Sequence, residues 1–206
     1  MHESQLQTER EHLRALLELT NAVTTRDVAS LAAAIAPNLQ RIVAHDDVAL
    51  FLLHPASEQM GRFALTAIGV GWSDELTAEL RPDAEPFATW LAERRTVDID
   101  LEQFDWTGRE GIHRNVTAAG LKHVCFVPLA TPRETLGFLL LNRRSAAPFT
   151  PDEMNWSAQA AAQIAIALEN ALAFREIAAL KDRLAHENIY LEEEIRGAQH
   201  FGEIVG

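Results

Sequence analysis

Residues 124–174 read VCFVPLATPRETLGFLLLNRRSAAPFTPDEMNWSAQAAAQIAIALENALAF, and three signals in and around them decide the architecture. Two apolar runs, Leu121 to Leu129 and Leu136 to Asn142, flank a turn containing Pro132, which predicts an antiparallel hairpin. Thr150-Pro151-Asp152-Glu153 then forms a capping box with proline at the first helical position. The helix it opens meets neither Gly nor Pro until Gly197, which makes it very long. Its first half is apolar on more than one side and suits burial against a sheet. Past Glu176 only Ile177, Leu180, Leu184 and Leu191 keep a seam at three-four spacing, so the second half is expected to protrude as a coiled coil. Glu187 and Glu194 fall on the same seam and weaken it toward the end.

Upstream of the hairpin the periodicity changes from element to element. Leu6, Leu13, Leu16, Thr20 and Val23 step by three and four through charged neighbours and predict a helix with one narrow apolar seam. Thr24 to Asp27 can cap a second helix whose stripe is Val28, Leu31, Ile35, Leu39 and Ile42. Val48 to Leu53 and Arg62 to Val70 read as strands around a turn-rich segment at 54–61. Asp83 to Arg95 predicts a short helix with Phe87, Trp90 and Leu91 inward, and Val97 to Ile99 a brief strand. Asp100 to Gly111 has no clear period, and Ile112 to Ala119 reads as a helix stopped by Gly120. Irregular segments of this length in small domains usually cover a site.

Composition removes several function classes. Eighteen Lys and Arg stand against 30 Asp and Glu, a net charge of −12 that disfavours direct nucleic-acid binding. One cysteine, Cys125, excludes an internal disulfide and any CxxC zinc or redox site, in keeping with a reducing cytoplasm. The first residues are polar and acidic, unlike a secretion signal. Ala158 to Ala173, interrupted by Gln159, Gln163, Glu169 and Asn170, is no lipid-facing span, so no membrane partner is expected. No GxxxxGK[ST] occurs, so no ATP hydrolysis is expected. A single cysteine cannot resolve its own sulfenic acid, and no Ser-His-Asp set has recognisable local context, so the chain reads as not an enzyme.

The segment Val124 to Phe174 resembles the C-terminal half of GAF domains, in which VPL, a turn, GFLLLNR, FTPDE and AAQIAIALENA follow in that order. The tail LKDRLAHENIYLEEEIRGAQHFGEIVG resembles the linker of sigma-54-dependent transcriptional activators, formate-hydrogenlyase-activator type, that leads into an AAA+ ATPase. The resemblance implies an α+β GAF fold: a central antiparallel sheet with helices on one side, a pocket-forming segment on the other, and a long C-terminal coiled-coil helix. It implies an N-terminal helix over 1–24, a GAF domain over 25–174 and a linker over 175–206 toward an AAA+ domain beyond this chain. The expected role is a cytoplasmic ligand sensor, homodimeric through Leu6 to Val23 and Ile177 to Leu191, that relays binding to the ATPase. A dimerisation module with an empty pocket is the alternative.

GAF domains bind small ligands between the sheet and the segment over it, which implies a pocket near Asp100 to Ala119. Phe63, Trp72, Trp90, Phe104 and Trp106 are candidates to line it, with His113, Arg114 or Lys122 meeting a carboxylate. His123 and Cys125, two apart on a predicted strand, share one face, and imidazole plus thiolate can hold iron, zinc or copper. Asp105 and His113 would complete the set, a pattern similar to nitric-oxide-sensing activators whose GAF domain carries non-haem iron. The bland alternative is a buried cysteine and a hydrogen-bonded core histidine. A covalent bilin on Cys125 would have no room in a buried strand, and the NKFDE signature of cyclic-nucleotide binders is absent.

Overall fold

The structure, a computed structural model, describes residues 38–53, 60–64 and 79–204, and their side chains except those of 60–64, 175 and 188–204. The seam from Leu6 to Val23, the second helix as far as residue 37, and Trp72 lie outside the described residues. In chain order the elements are β1 (Asp47–Leu53), β2 (Met60–Ala64), α1 (Phe87–Ala92), β3 (Val97–Asp100), α2 (Glu110–Ala118), β4 (His123–Ala130), β5 (Thr135–Arg143) and α3 (Pro151–Ile204). Residues 38–42 form a helical turn before β1.

The strands make one antiparallel sheet in the order β2-β1-β5-β4-β3. The expected hairpin is β4 and β5, with Phe126 opposite Leu140 and Val127 opposite Leu139. Its turn is held by the Thr131 N–H donating to the Glu134 carbonyl at 2.8 Å. Strand alternation then sorts the apolar side chains onto two faces. One carries Val48, Leu50, Cys125, Val127, Leu139 and Leu141. Against it lie Leu39, Ile42 and Val43 and the Ala160, Ala161, Ile164, Ala165 and Leu168 stripe of α3. Three alanines in that stripe let the helix backbone approach the sheet closely, which explains why so alanine-rich a helix is buried.

The other face is aromatic. Phe51 and Phe138, in register on β1 and β5, stack at 5.0 Å between ring centroids, and Phe126 of β4 continues the stack at 4.9 Å. Phe87 and Trp90 of α1 close over Phe126, each at 5.5 Å. The sheet thus has helices on one side and the irregular segment with α1 and α2 on the other, as the resemblance implies.

Some boundaries differ from those predicted. β2 begins at Met60 within the expected turn. α1 is only Phe87–Ala92, because Pro86 precedes it and Arg94 turns to a positive φ of 53° behind it. α2 starts at Glu110, two residues before the first apolar residue of its stripe. α3 opens on the predicted capping box: the Thr150 N–H donates to Glu153 at 2.8 Å and the Glu153 N–H to Thr150 at 3.2 Å. It continues through Gly197 to Ile204, since one glycine costs only about 1 kcal/mol in a helix interior.

One residue locks the register of β1 on β5. A Cβ at Gly137 would overlap the Phe51 backbone carbonyl, which cannot move aside without breaking the ladder. Gly137→Ala is therefore expected to destabilise the domain by about 3 kcal/mol, the upper range for overpacking, measured by urea unfolding. An unchanged midpoint would show that β1 can slide away from β5.

Candidate functional site

Above the aromatic face, the sheet and its cover line a partly open cavity of about 40 Å³. Among the described residues the floor is Ile99 of β3, Val124 of β4, and Leu140 and Asn142 of β5. Leu80, Phe87, Leu101, Phe104, Trp106, Arg109, Ile112 and Val116 form the walls and roof. The volume exceeds the roughly 10–15 Å³ needed to admit one water, and the lining is apolar except at Arg109 and Asn142.

The roof is positioned by hydrogen bonds that the sequence does not announce. Trp106 donates its indole N–H to the Leu101 carbonyl at 3.0 Å, folding the irregular segment back on itself. Glu79 accepts from the Ile112 N–H at 2.9 Å, satisfying one of the free amides at the start of α2 and drawing that end down over the sheet. Gly108 takes a φ of +74° just before α2, a conformation glycine adopts without strain. Asp105 receives the backbone and hydroxyl donors of Thr107, which hold its carboxyl below the usual range.

Of the residues expected to line the pocket, Phe104 and Trp106 do so. Trp90 lies in the same core but packs edge-on against Phe87 at 5.4 Å instead of facing the cavity. Phe63 lies on β2, its side chain outside the described residues. The three groups expected to meet a carboxylate face away. His113 is exposed and stacks flat on the outside of Trp106, at 5.0 Å and 10°. Arg114 is exposed, and Lys122 donates to Glu102 at 2.6 Å, a bond that raises its pKa. The reason is helical phase: Ile112 and Val116 set the inner face of α2, which places His113 and Arg114 on the outer one.

The same phase brings in a residue that the sequence reading missed. Arg109, three residues before Ile112 and seven before Val116, falls on the inner face and is 8% exposed. It donates to the Glu85 carbonyl at 3.2 Å and lies over the Phe87 ring at 5.2 Å. Placing the helix start at Ile112 hid this; beginning it at Gly108-Arg109 would have exposed the i, i+3, i+7 pattern. Asn142 was missed for a different reason, since it sits in a strand otherwise read as apolar. It donates to Asp47 at 2.8 Å, in register across β1 and β5.

The four proposed metal ligands do not converge. His123 and Cys125 share a strand face as expected, but it is the face under α3, whereas Asp105 and His113 belong to the cover on the opposite side of the sheet. Among the described residues no group of three or more His, Cys, Asp or Glu side chains is placed to hold a metal. His123 instead meets Asp98 of β3 at 3.1 Å, and Asp98 also accepts from the Phe149 N–H, pinning the approach to α3. The iron reading is corrected accordingly: the pleat puts a layer of sheet between the two halves of the set.

One antiparallel sheet, with helices packed on one face and an apolar cavity on the other, makes an α+β domain. The family model for the GAF domain matches residues 27–170, and the chain belongs to this family. It is 29% identical over 219 aligned residues to the formate hydrogenlyase transcriptional activator FhlA of Escherichia coli K12, covering 96% of this chain and 29% of that protein. It is 25% identical to the DNA-binding transcriptional activator HyfR of the same organism, over 97% of this chain and 30% of that protein. The chain therefore spans less than a third of the length of these relatives. Two solved GAF domains share the fold. That of a putative sensor histidine kinase from Pseudomonas syringae pv. tomato superposes with a TM-score of 0.58 at 18% identity, covering 89% of this chain and 99% of that one. That of a Bacillus halodurans sensor histidine kinase gives 0.57 at 14%, covering 73% and 99%.

Cys125 is fully buried, and burial followed by the field of Asp98 pushes its thiol up to about 12. At pH 8 the folded chain is expected to leave Cys125 unmodified by a thiol reagent, while urea-unfolded chain reacts completely. The unfolded thiol titrates near 9.0, so above that pH the unfolded chain binds fewer protons and stability should fall as pH rises. Rapid labelling of native protein would contradict this placement of the thiol.

Proposed function

We propose that this chain is the ligand-sensing GAF domain of a sigma-54-dependent transcriptional regulator, converting occupancy of its cavity into a change at the start of α3. The observation that carries this is the adjacency of Asn142 and Arg143 at the end of β5. Successive strand residues face opposite ways, so Asn142 reaches the cavity while Arg143 points under α3. Arg143 donates to Glu153 of the capping box at 2.7 Å and to the Ala44 carbonyl at 2.6 Å, and lies 3.9 Å over the Phe149 ring. A ligand that binds two arrangements of this strand end unequally shifts their populations, and α3 carries the difference outward. The similarity to FhlA and HyfR, both named transcriptional activators, over nearly the whole chain supports an AAA+ domain as receiver.

Among the described residues nothing covers the apolar seam of the receiving helix. Ile177, Leu180 and Leu184 are 61%, 46% and 60% exposed, at the three-four spacing that a second helix covers. A second copy of the chain is the occupant this reading assigns, together with pairing of the N-terminal seam. The net charge of −12 leaves DNA contact to other parts of the regulator, and no catalysis is assigned to this domain. Among the described residues no helix is long and apolar enough to cross a membrane.

Thermal unfolding against a panel of metabolites tests the sensing. A ligand at one hundred times its Kd is expected to add about 2.7 kcal/mol, or roughly 5–10 °C in Tm for a chain of this size. A flat panel would favour a dimerisation module with an empty cavity. Leu180→Glu combined with Leu184→Glu is expected to convert dimer to monomer in analytical ultracentrifugation, and an unchanged mass would remove the coiled-coil assignment.

A further inference from the structure

We propose that the seam of α3 reaches back onto the body of the domain through Ile166, Asn170 and Ala173, and that a second copy of this chain covers it as a parallel, in-register coil. In that coil Asn170 meets Asn170 of the second copy. This rests on the relay reading above and assigns the orientation, register and reach of the pairing. Ile166, Asn170, Ala173, Ile177, Leu180 and Leu184 follow at alternating steps of four and three, the d and a positions of a heptad repeat, and all six are exposed. On the other side of the same turns, Ala160, Ala161, Ile164 and Leu168 are buried against the sheet, yet Ile166 is 43% exposed. α3 is one helix from Pro151 to Ile204, so the seam passes from the body to the protruding part without a change of phase.

Reach decides whether two copies hold together. Ile177 to Leu184 is little more than one heptad, and helical segments shorter than about 12–15 residues are marginal in water. Ile166 to Leu184 is nearly three heptads, and the sheet already holds its first half helical, so pairing there orders little that is not ordered before. Orientation follows from the polar residues. In a parallel, in-register coil equivalent a residues meet, so the Asn170 amides pair with each other, which specifies two helices and one register. A slip by one heptad would bury Asn170 against Ile177 without a partner. Glu176 and Lys181 flank the seam at g and the next e, where parallel helices bring them together with opposite charge. Glu187 meets Glu187 of the second copy, which ends the paired stretch. An antiparallel coil would set Asn170 against Glu187 and carry the two Ile204 ends roughly 75 Å apart, at opposite ends of the assembly, where one receiver could not take both.

The test is disulfide cross-linking of the 206-residue chain carrying Asn170→Cys, Ile177→Cys or Leu184→Cys, one at a time, under mild oxidation. Asp182→Cys, on the outer side of the coil, and the wild type with its buried Cys125 are the controls. Facing a positions of a parallel coil lie within the Cα separation that a disulfide spans. All three variants are expected to form covalent dimers, and both controls to stay single. In sedimentation, Ile166→Glu is expected to raise the dimer dissociation constant about tenfold or more with an unchanged circular dichroism spectrum. If Ile166→Glu does not fold, the Asn170→Cys cross-link decides the reach alone. Leu184→Cys cross-linking to Ala173→Cys in an equimolar mixture, while Asn170→Cys and Leu184→Cys do not cross-link to themselves, would show an antiparallel coil and overturn the inference. Cross-links at Ile177→Cys and Leu184→Cys without one at Asn170→Cys would confine pairing to the protruding part and overturn it too, as would an unchanged dissociation constant in folded Ile166→Glu. A monomer at every concentration would overturn the inference together with the second-copy assignment, and the metabolite panel decides separately whether ligand sensing stands.

Discussion

The Arg143 guanidinium is the contact on which the arrangement of layers depends. It is buried at the end of the central strand β5 and joins three pieces of chain to one another. These are the segment entering β1 through Ala44, the loop before α3 through Phe149, and α3 itself through Glu153. Burial raises the pKa of Glu153, but the Arg143 hydrogen bond and the Thr150 donors outweigh it and leave the carboxyl below its usual value. Removing one partner of such a pair strands the other charge, typically at 3–5 kcal/mol, much more than an exposed ion pair contributes. The capping box therefore serves twice: it starts the helix, and it supplies the carboxylate that ties the helix to the sheet.

Strand parity decides the chemistry available on each side. Along β4, Val124 and Phe126 look toward the cavity, while His123, Cys125 and Val127 look toward α3. The side under α3 is sealed by small residues and keeps its polar groups in local pairs such as His123 with Asp98. The cavity side is built from large rings, which pack at angles and leave space between them, and it keeps a cation and an amide at its edge. Adjacent residues at a strand end face opposite ways, so Asn142 and Arg143 join the two sides by the shortest path through the sheet.

Cover and sheet also differ in how they are held. The central strands are locked by ladders and by the Gly137 approach to Phe51. Among the described residues the roof is tied by isolated bonds, among them Glu79 to Ile112, Trp106 to Leu101, Arg109 to Glu85 and Arg144 to Ala119. A cover tied by isolated bonds can repack at lower cost than strands held by continuous ladders.

The hairpin, the capped helix and its exposed seam were legible in the sequence because each rests on local physics: strand alternation, cap chemistry and three-four spacing. The aromatic wall was legible in part. Phe104 and Trp106 stand in an irregular segment where large rings need a cover to bury them, but nothing local distinguishes them from Trp90, which packs into the core. The side of the sheet on which a residue lies was not legible. His123, Cys125, Asp105 and His113 form a credible ligand set by type and spacing, and the sheet lies between its two halves. The inward turn of Arg109 and the outward turn of His113 and Arg114 follow from where α2 begins, which is set by Glu79, some thirty residues upstream, capping Ile112. Sequence spacing determines the period of an element; long-range partners determine its phase, and phase decides which side chains face the cavity.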